Sequence, residues 1–395
     1  MVKHRLVINK IILFAVIYFT IMVLSITPGF SSDNFADETP AVNVRGKVIK
    51  VLDYRQEGID YSGGSITSSI QVLEVKIITD GPYKNKVITT EYDLSMYVSQ
   101  SEENTKLKPG DEVLLILELD EKGNITQSFI YSVVRDKYLL LLLIIFGLII
   151  LSVGRLKGLK ALISLSLTIL AIIYILIPLI LKGFDPVFIS IWVCIAITGV
   201  TLLLVSGYNK KTLAAVIGTT GGVVAAGFLA QLIGEMAKLT GLGNEESQML
   251  MYIPQNISFN YKGLLFAGIL IGALGAAMDV AMSLSSAMFE IKDIDPEIKR
   301  VAHVKAGMNI GRDMIATMSN TLILAYAGGA LQLLILLVAY KIPFYEIINQ
   351  DGYASEVVRS FAGSIGLILT IPITAMAAGF LSEKKDKHDY TRYYK

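Results

Sequence analysis

The chain has 395 residues, of which 53% are hydrophobic and only 17% are charged, and its mean hydropathy is +0.58. These values argue against an ordinary water-soluble multidomain protein and make membrane lipid the expected environment and partner. The formal net charge of +1 gives no bulk field that would attract nucleic acid, so we expect no nucleic-acid partner. One cysteine and three scattered histidines provide no disulfide and no cysteine-based metal site, and we expect no cofactor.

The first apolar segment runs from Ile11 to Thr27 and follows Lys3, Arg5 and Lys10. Basic residues before an apolar run of this length are typical of a signal anchor or of a cleaved signal peptide. The next stretch, PGFSSDNF, lacks a clear small-residue cleavage site. We therefore favour a retained anchor over residues 1–28 as the first span.

Residues 41–136 differ in pattern, with five β-rich runs separated by the turn-forming stretches DGPYKN, KPGD and DEKGN. About five strands in this length indicate a small closed barrel or sandwich, because closure removes exposed strand edges. We predict a small all-β, OB-like barrel between the first and second spans. No nucleotide-binding motif occurs in it, and a plain packed β-core is favoured over a ligand site.

From Tyr138 onward the sequence is repeatedly apolar, which predicts a seven-span transmembrane domain over residues 138–381 and a basic tail over residues 382–395. The predicted spans are 138–153, 161–181, 187–206, 212–235, 263–287, 314–340 and 356–381. Together with the N-terminal segment, the fold class is a polytopic α-helical membrane bundle of about eight spans.

Basic and weakly charged loops alternate along this domain. RLKGLK, GYNKK, the stretch from Glu290 to Arg312 and the tail are basic, whereas the loops between them carry little positive charge. Basic loops remain on the cytoplasmic side of a membrane. This alternation places both termini in the cytoplasm and the β-domain outside the cytoplasmic membrane.

An aspartate, Asp279, lies within the predicted span 263–287. An ionisable residue at this depth costs roughly 2.5–3.5 kcal/mol and needs a partner or a water-filled cavity. Ser283 and Ser286 follow at i+4 and i+7, and these spacings place all three side chains on one helical face. This face predicts a polar stripe that extends from Asp279 toward the cytoplasm.

The next span carries a matching polar face formed by Asn309, Asp313, Thr317 and Asn320, with Thr321 beside them. The two spans are joined by a cytoplasmic loop and run antiparallel, so we expect Asp279 to face Asn320. The predicted ion- or solute-binding residues are Asp279, Ser283, Ser286, Asp313, Thr317, Asn320 and Thr321. For the serines and threonines alone, hydrogen bonding between or within helices is the favoured alternative.

Two long stretches, GALGAAMDVAMSLSSAMFEI over residues 272–291 and NIGRDMIATMSNTLILAYAGG over residues 309–329, resemble the YibE/F family of bacterial multi-pass membrane proteins. GTTGGVVAAG, over residues 218–227, is similar to the glycine-rich span of that family. The resemblance covers residues from about 138 to 381. It implies a bacterial cell membrane and a preceding extracytoplasmic β-domain, and it implies no particular activity.

Three functions fit these features. The favoured one is a secondary transporter or permease for an ion or a small polar solute, with Asp279 at its centre and no enzymatic step. The second is an intramembrane enzyme in which Asp279 and Asp313 act as paired acids. The third is a non-catalytic envelope protein whose β-domain binds a partner. A homo-oligomer is compatible with all three.

Overall fold

The computed structural model describes residues 41–61, 64–94, 106–253 and 259–382. The predicted N-terminal anchor and residues 383–395 of the predicted tail lie outside the described residues. Contacts between residues divide the chain into two compact units, one that ends at Ile149 and one that begins at Ile150.

The first unit contains a closed barrel of five strands, in agreement with the β-rich runs of the sequence. The strands are β1 (Ala41–Tyr61), β2 (Gly64–Ile77), β3 (Val87–Asp93), β4 (Glu112–Leu119) and β5 (Ile125–Val133). Their order around the barrel is β1-β2-β3-β5-β4, and the β3–β5 pair is the parallel one. Irregularities in the β1–β2 register, between Val48 and Lys50 and between Val51 and Asp53, bend β1 so that it pairs with both β2 and β4.

The barrel interior follows from the alternation of side chains along each strand. In β4, Val113, Leu115 and Leu117 are fully buried, while the residues between them are only partly covered. Gly46 of β1 lies where the wall is closest to this core, and a Cβ there would lie 2.6 Å from a methyl carbon of Leu115. Burial of the apolar face of every strand therefore holds the barrel together.

The connection from the barrel to the first helix is very short. Only two residues separate the end of β5 at Val133 from Asp136, where the helix begins. Asp136 pairs with Arg45 of β1, and Lys137 pairs with Glu112 of β4. Both ion pairs thus join the first helical turn to barrel strands.

The remaining elements are helical. They are α1 (Asp136–Ala171), which continues through a π-helical turn (Ile172–Leu176) into α2 (Ile177–Leu181), then α3 (Pro186–Ser206), α4 (Lys210–Met236), α5 (Glu245–Met249) followed by a 3-10 turn (Leu250–Tyr252), α6 (Tyr261–Ile294), α7 (Arg300–Gly329), α8 (Leu331–Tyr340), α9 (Phe344–Ile347) and α10 (Asp351–Leu381).

Five helical segments of the described chain are long and apolar enough to cross a membrane, or six if α7 and α8, which meet at 65°, form one span. The sequence predicted seven in this region, so with α7 and α8 counted as one span the remaining difference lies in the 46-residue segment Asp136–Leu181. A straight helix of that length would extend about 69 Å, roughly twice the hydrocarbon core of a bilayer. Arg155, with φ 49° and ψ −127°, interrupts it, and Gly158 then lies against the carbonyl oxygen of Ile150. The count of about eight spans remains a prediction.

Helix α6 lies at the centre of the second unit, where it contacts α3, α4, α7 and α10. Helices α4 and α10 approach each other closely. Gly222 of α4 lies against Thr370 and the carbonyl oxygen of Gly366, and a Cβ at Gly222 would lie 2.7 Å from that oxygen. Small residues on transmembrane helices permit this close backbone packing.

Candidate membrane-embedded polar site

Asp279 lies on α6 and its side chain is exposed. The fully buried positions of α6, such as Ala277, Val280 and Leu284, lie on the opposite face of the helix. Ser283 is exposed one turn beyond Asp279. A carboxylate that faced hydrocarbon would cost roughly 2.5–3.5 kcal/mol, so this surface of α6 requires water, a polar solute or another protein surface.

Ser286 continues the same stripe and is half-buried. The neighbouring Ser285 is fully buried, and its hydroxyl donates a hydrogen bond of 2.8 Å to the carbonyl oxygen of Lys211 in α4. Ser285 therefore stabilises the packing of α6 on α4, whereas Ser283 and Ser286 remain on the outward side.

Helix α7 carries its polar residues on an outward face as well. Asp313, Thr317, Asn320 and Thr321 are all exposed. The buried positions Gly307, Gly311 and Leu322 lie on the other side of α7. The two helices therefore present two polar stripes on the surface of the bundle.

Two contacts define the register of these helices: Tyr326 lies against Gly272, and Gly307 lies against Met288. Helices α6 and α7 are thus antiparallel, and Asp279 lies about level with the middle of α7, within one turn of Asn320. In the part of the chain that the structure describes, no hydrogen bond joins Asp279 to Asn320.

Two hydroxyls of the α7 stripe are satisfied by their own helix. Thr317 donates to the carbonyl oxygen of Met314 at 3.2 Å, and Thr321 donates to that of Thr317 at 2.8 Å. Near the start of the stripe, Nη1 of Arg312 donates to Oδ1 of Asn309 at 3.3 Å. Of the predicted site residues, Asp279, Asp313 and Asn320 are therefore the ones with most capacity to contact a ligand.

A polar cavity of about 730 Å³ lies at the other end of α7, where α7 bends into α8. The segment 241–247, the start of α6, the bend and the first turns of α10 enclose it. Gly328 precedes the bend and Gly329 adjoins it, and a Cβ at either glycine would meet no atom within 4 Å. The bend and these two glycines together leave room for the cavity.

The wall that α10 contributes contains an ion pair. Nη1 of Arg359 lies 2.8 Å from Oε1 of Glu356, and the two side chains are 28% and 30% exposed, respectively. The pair is spaced i, i+3 and faces the cavity. The guanidinium is thereby partly neutralised and remains accessible from the cavity.

Three residues that line the cavity each have a buried polar atom without a partner within the described protein. These atoms are Nε of Arg359, Oγ of Ser355 and Oη of Tyr326. Ser355 is only 6% exposed. Oη of Tyr326 lies 3.4 Å from the position of a Cβ at Gly363, one turn further along α10 than Arg359. Buried polar groups usually have a partner, so these three atoms are available as hydrogen-bond donors to a polar occupant.

The segment over the cavity is fixed to the start of α10. The carboxylate of Asp351 accepts hydrogen bonds from the amide of Thr240 at 2.9 Å and from its hydroxyl at 2.8 Å. Gly243 then passes so close to Gly352 that neither position has room for a Cβ. This docking holds the exposed carboxylates of Glu245 and Glu246 at the cavity.

The cavity residues are not among the predicted site residues, although two signals for them exist in the sequence. Arg359 and Glu356 are charged residues within the predicted span 356–381, and Gly328 and Gly329 interrupt the predicted span 314–340. The position of Tyr326 beside α10 depends on helix packing and has no local signal. No group of three or more His, Cys, Asp or Glu side chains suited to a metal ion occurs among the described residues.

The comparisons with known proteins add one family. The sequence matches the model of the family described as YibE/F-like protein over residues 142–384, which include every predicted site residue and all the residues that line the cavity. A search of curated proteins and a search of solved structures each returned no match. Since the matched region is more than half of the chain, the protein belongs to the YibE/F-like family.

Proposed function

We propose that this membrane protein is a secondary transporter or permease for an ion or a small polar solute, and that it performs no enzymatic step. In this proposal it resides in the bacterial cytoplasmic membrane with about eight spans. Both termini are cytoplasmic, and the β-domain is an extracytoplasmic OB-like barrel. The barrel order β1-β2-β3-β5-β4 and the alternation of basic loops support this arrangement.

The observation that carries the proposal is the polar cavity beside the α7–α8 bend. Transporters commonly bind their substrates where a transmembrane helix is broken, because backbone and buried polar side chains are then available to the solute. The unpartnered atoms of Arg359, Ser355 and Tyr326 give this cavity the same capacity. A purely structural anchor would have no need for such a wall.

Asp279 supplies the proposed second element, an ionisable group deeper along the same helices. It lies seven residues beyond Gly272, the contact point of Tyr326, which is about 10 Å along the axis of α6. We assign Asp279 the binding of a proton or cation, with Ser283, Ser286, Asp313, Thr317, Asn320 and Thr321 forming the polar path around it.

The test is ion flux in liposomes that contain the purified full chain, with proton and Na⁺ movement recorded under an applied membrane potential or pH gradient. Asp279→Asn should abolish the flux because the amide cannot be ionised, and it should leave the protein folded. Glu290→Gln is the matched control, since Glu290 lies on α6 near its C-terminal end and is also exposed. Equal flux through the wild type and Asp279→Asn would refute the assigned role.

A second candidate function is a non-catalytic envelope protein whose β-domain binds a partner. It is favoured by a cleft of about 590 Å³ on the barrel surface between β3 and β5, lined by Glu91, Gln127 and Phe129 among others. Phe129 is exposed, as is Tyr131 further along β5. If Phe129→Ala disrupts cellular function while ion flux in liposomes is normal, this candidate replaces transport.

A further inference from the structure

We propose that the cavity between α6, α7, α8 and α10 binds a zwitterionic solute of the amino-acid or short-peptide class, with its carboxylate on the Arg359 wall and its ammonium group toward Glu245 and Glu246. This inference rests on the proposed function only in so far as the bound solute is also the one transported.

The wall around Arg359 can donate hydrogen bonds to an acceptor group. Its three unpartnered atoms belong to Arg359, Ser355 and Tyr326, and each can donate a hydrogen bond. Ser355 and Arg359 are four residues apart on α10, and Tyr326 lies beside the next turn at Gly363. The donors thus follow one face of α10. A guanidinium with hydroxyl donors beside it is a typical environment for a carboxylate.

The other side of the cavity carries the opposite charge. It is lined by Glu245 and Glu246, and together with the Arg359–Glu356 pair of the α10 wall they give the whole lining a formal charge of −2 from three carboxylates and one guanidinium. A simple anion would be repelled by this excess, and a simple cation would leave the three buried donors without an acceptor. A ligand that carries both charges satisfies both sides.

The size of the cavity agrees with this class. About 730 Å³ lies within the range of typical small-molecule sites, so the cavity has room for a solute larger than one amino acid. Leu264, Leu333 and Leu336 provide an apolar part of the wall. Side chains of a short peptide would contact these leucines while its termini meet the charged groups.

The experiment is equilibrium binding of three matched probes to the purified full chain in nanodiscs. Trialanine carries both terminal charges, trialanine amide lacks the carboxylate, and N-acetyl-trialanine lacks the ammonium group. We expect trialanine to bind, and each blocked peptide to bind about tenfold to a hundredfold more weakly, as expected for the loss of a charge-assisted contact.

Variants locate the site. Arg359→Gln should weaken trialanine binding by about tenfold to a hundredfold while leaving the weak binding of trialanine amide unchanged. Tyr326→Phe and Ser355→Ala remove only atoms without a protein partner. They should therefore weaken binding without lowering the thermal stability of the unliganded protein. Glu235→Gln is the control and should leave trialanine binding unchanged, since Glu235 is an exposed carboxylate outside this cavity.

Equal binding of the three peptides, or no binding of trialanine up to millimolar concentrations, would overturn the proposal. So would preferential binding of glycerophosphoethanolamine, which would identify the occupant as a zwitterionic lipid headgroup. Failure of the transport proposal is distinguishable from these results. Trialanine binding without any ion flux would support the binding site and refute the transport proposal. Asp279-dependent ion flux without trialanine binding would support transport and refute the proposed ligand.

Discussion

The close contact between α4 and α10 makes a quantitative prediction about Gly222. In Gly222→Ala the new methyl carbon would lie 2.7 Å from the carbonyl oxygen of Gly366 and would overlap the Thr370 hydroxyl. The threonine can rotate, but the backbone carbonyl cannot. Ordinary contact begins near 3.4 Å, so the two helices must separate locally by about 0.7 Å.

Two opposing free energies decide the outcome. Overpacking of a tight interface costs about 1–3 kcal/mol, and replacement of a helical glycine by alanine recovers up to about 1 kcal/mol. Gly199→Ala provides the matched control, because Gly199 lies within α3 and a Cβ there would meet nothing within 4 Å. Both variants gain the same helix propensity, so their difference isolates the steric cost.

The assay is thermal unfolding of both variants in the same detergent. We expect Gly222→Ala to be less stable than Gly199→Ala by about 1–3 kcal/mol, which corresponds to a difference in Tm on the order of 1–4 °C for a chain of 395 residues. Equal Tm values would show that α4 and α10 are not packed as closely as the structure has them.

Three further changes test other parts of the molecule. Gln71→Leu removes the side-chain oxygen that accepts a 2.8 Å hydrogen bond from the buried amide of Leu107, which should lower the free energy of unfolding by about 1–3 kcal/mol. Hydrogen exchange of the barrel amides in the full chain should then be about fivefold to 150-fold faster, and unchanged exchange would refute the hydrogen bond. His303→Phe removes the 2.8 Å hydrogen bond from the imidazole to the carbonyl oxygen of Met288 in α6, which should cost about 0.5–1.5 kcal/mol and lower the Tm, while His303→Gln should retain part of this stability. The hydrogen bond from the Asn124 side chain, together with backbone donors, holds the pKa of Asp120 below its usual range, so Asp120→Ala should destabilise the barrel near neutral pH. This destabilisation should shrink as the pH falls through the folded-state pKa, because protonation removes the same acceptor from the wild type; a loss independent of pH would contradict the assignment.

Local patterns were sufficient to predict the strands and most of the helices. The alternation of Val113, Leu115 and Leu117 predicts β4 because buried and exposed faces alternate in a strand. The apolar runs likewise predict α3, α4, α6 and α10, since a spanning helix needs a long apolar length. The break at Arg155 was predicted only as a loop between spans, and its conformation is not encoded by any local turn motif.

The candidate site was less accessible to sequence reasoning. The stripe from Asp279 to Ser286 follows from helical spacing, but its exposure on the bundle surface depends on which side of α6 meets its neighbours. The cavity depends on contacts between distant segments, such as Thr240 with Asp351, which lie 111 residues apart. Spacing within one helix carries no information about such contacts.

The short junction between barrel and helix has a mechanical consequence. With only two residues between β5 and α1, there is no slack to absorb a displacement of the barrel. The ion pairs of Arg45 with Asp136 and of Lys137 with Glu112 lie at the surface, with only Glu112 largely covered, and contribute little stability, but they oppose rotation of the first helical turn about the chain. A force applied to the barrel would therefore be transmitted to the first turn of α1 as a torque and would not be absorbed by the connecting residues.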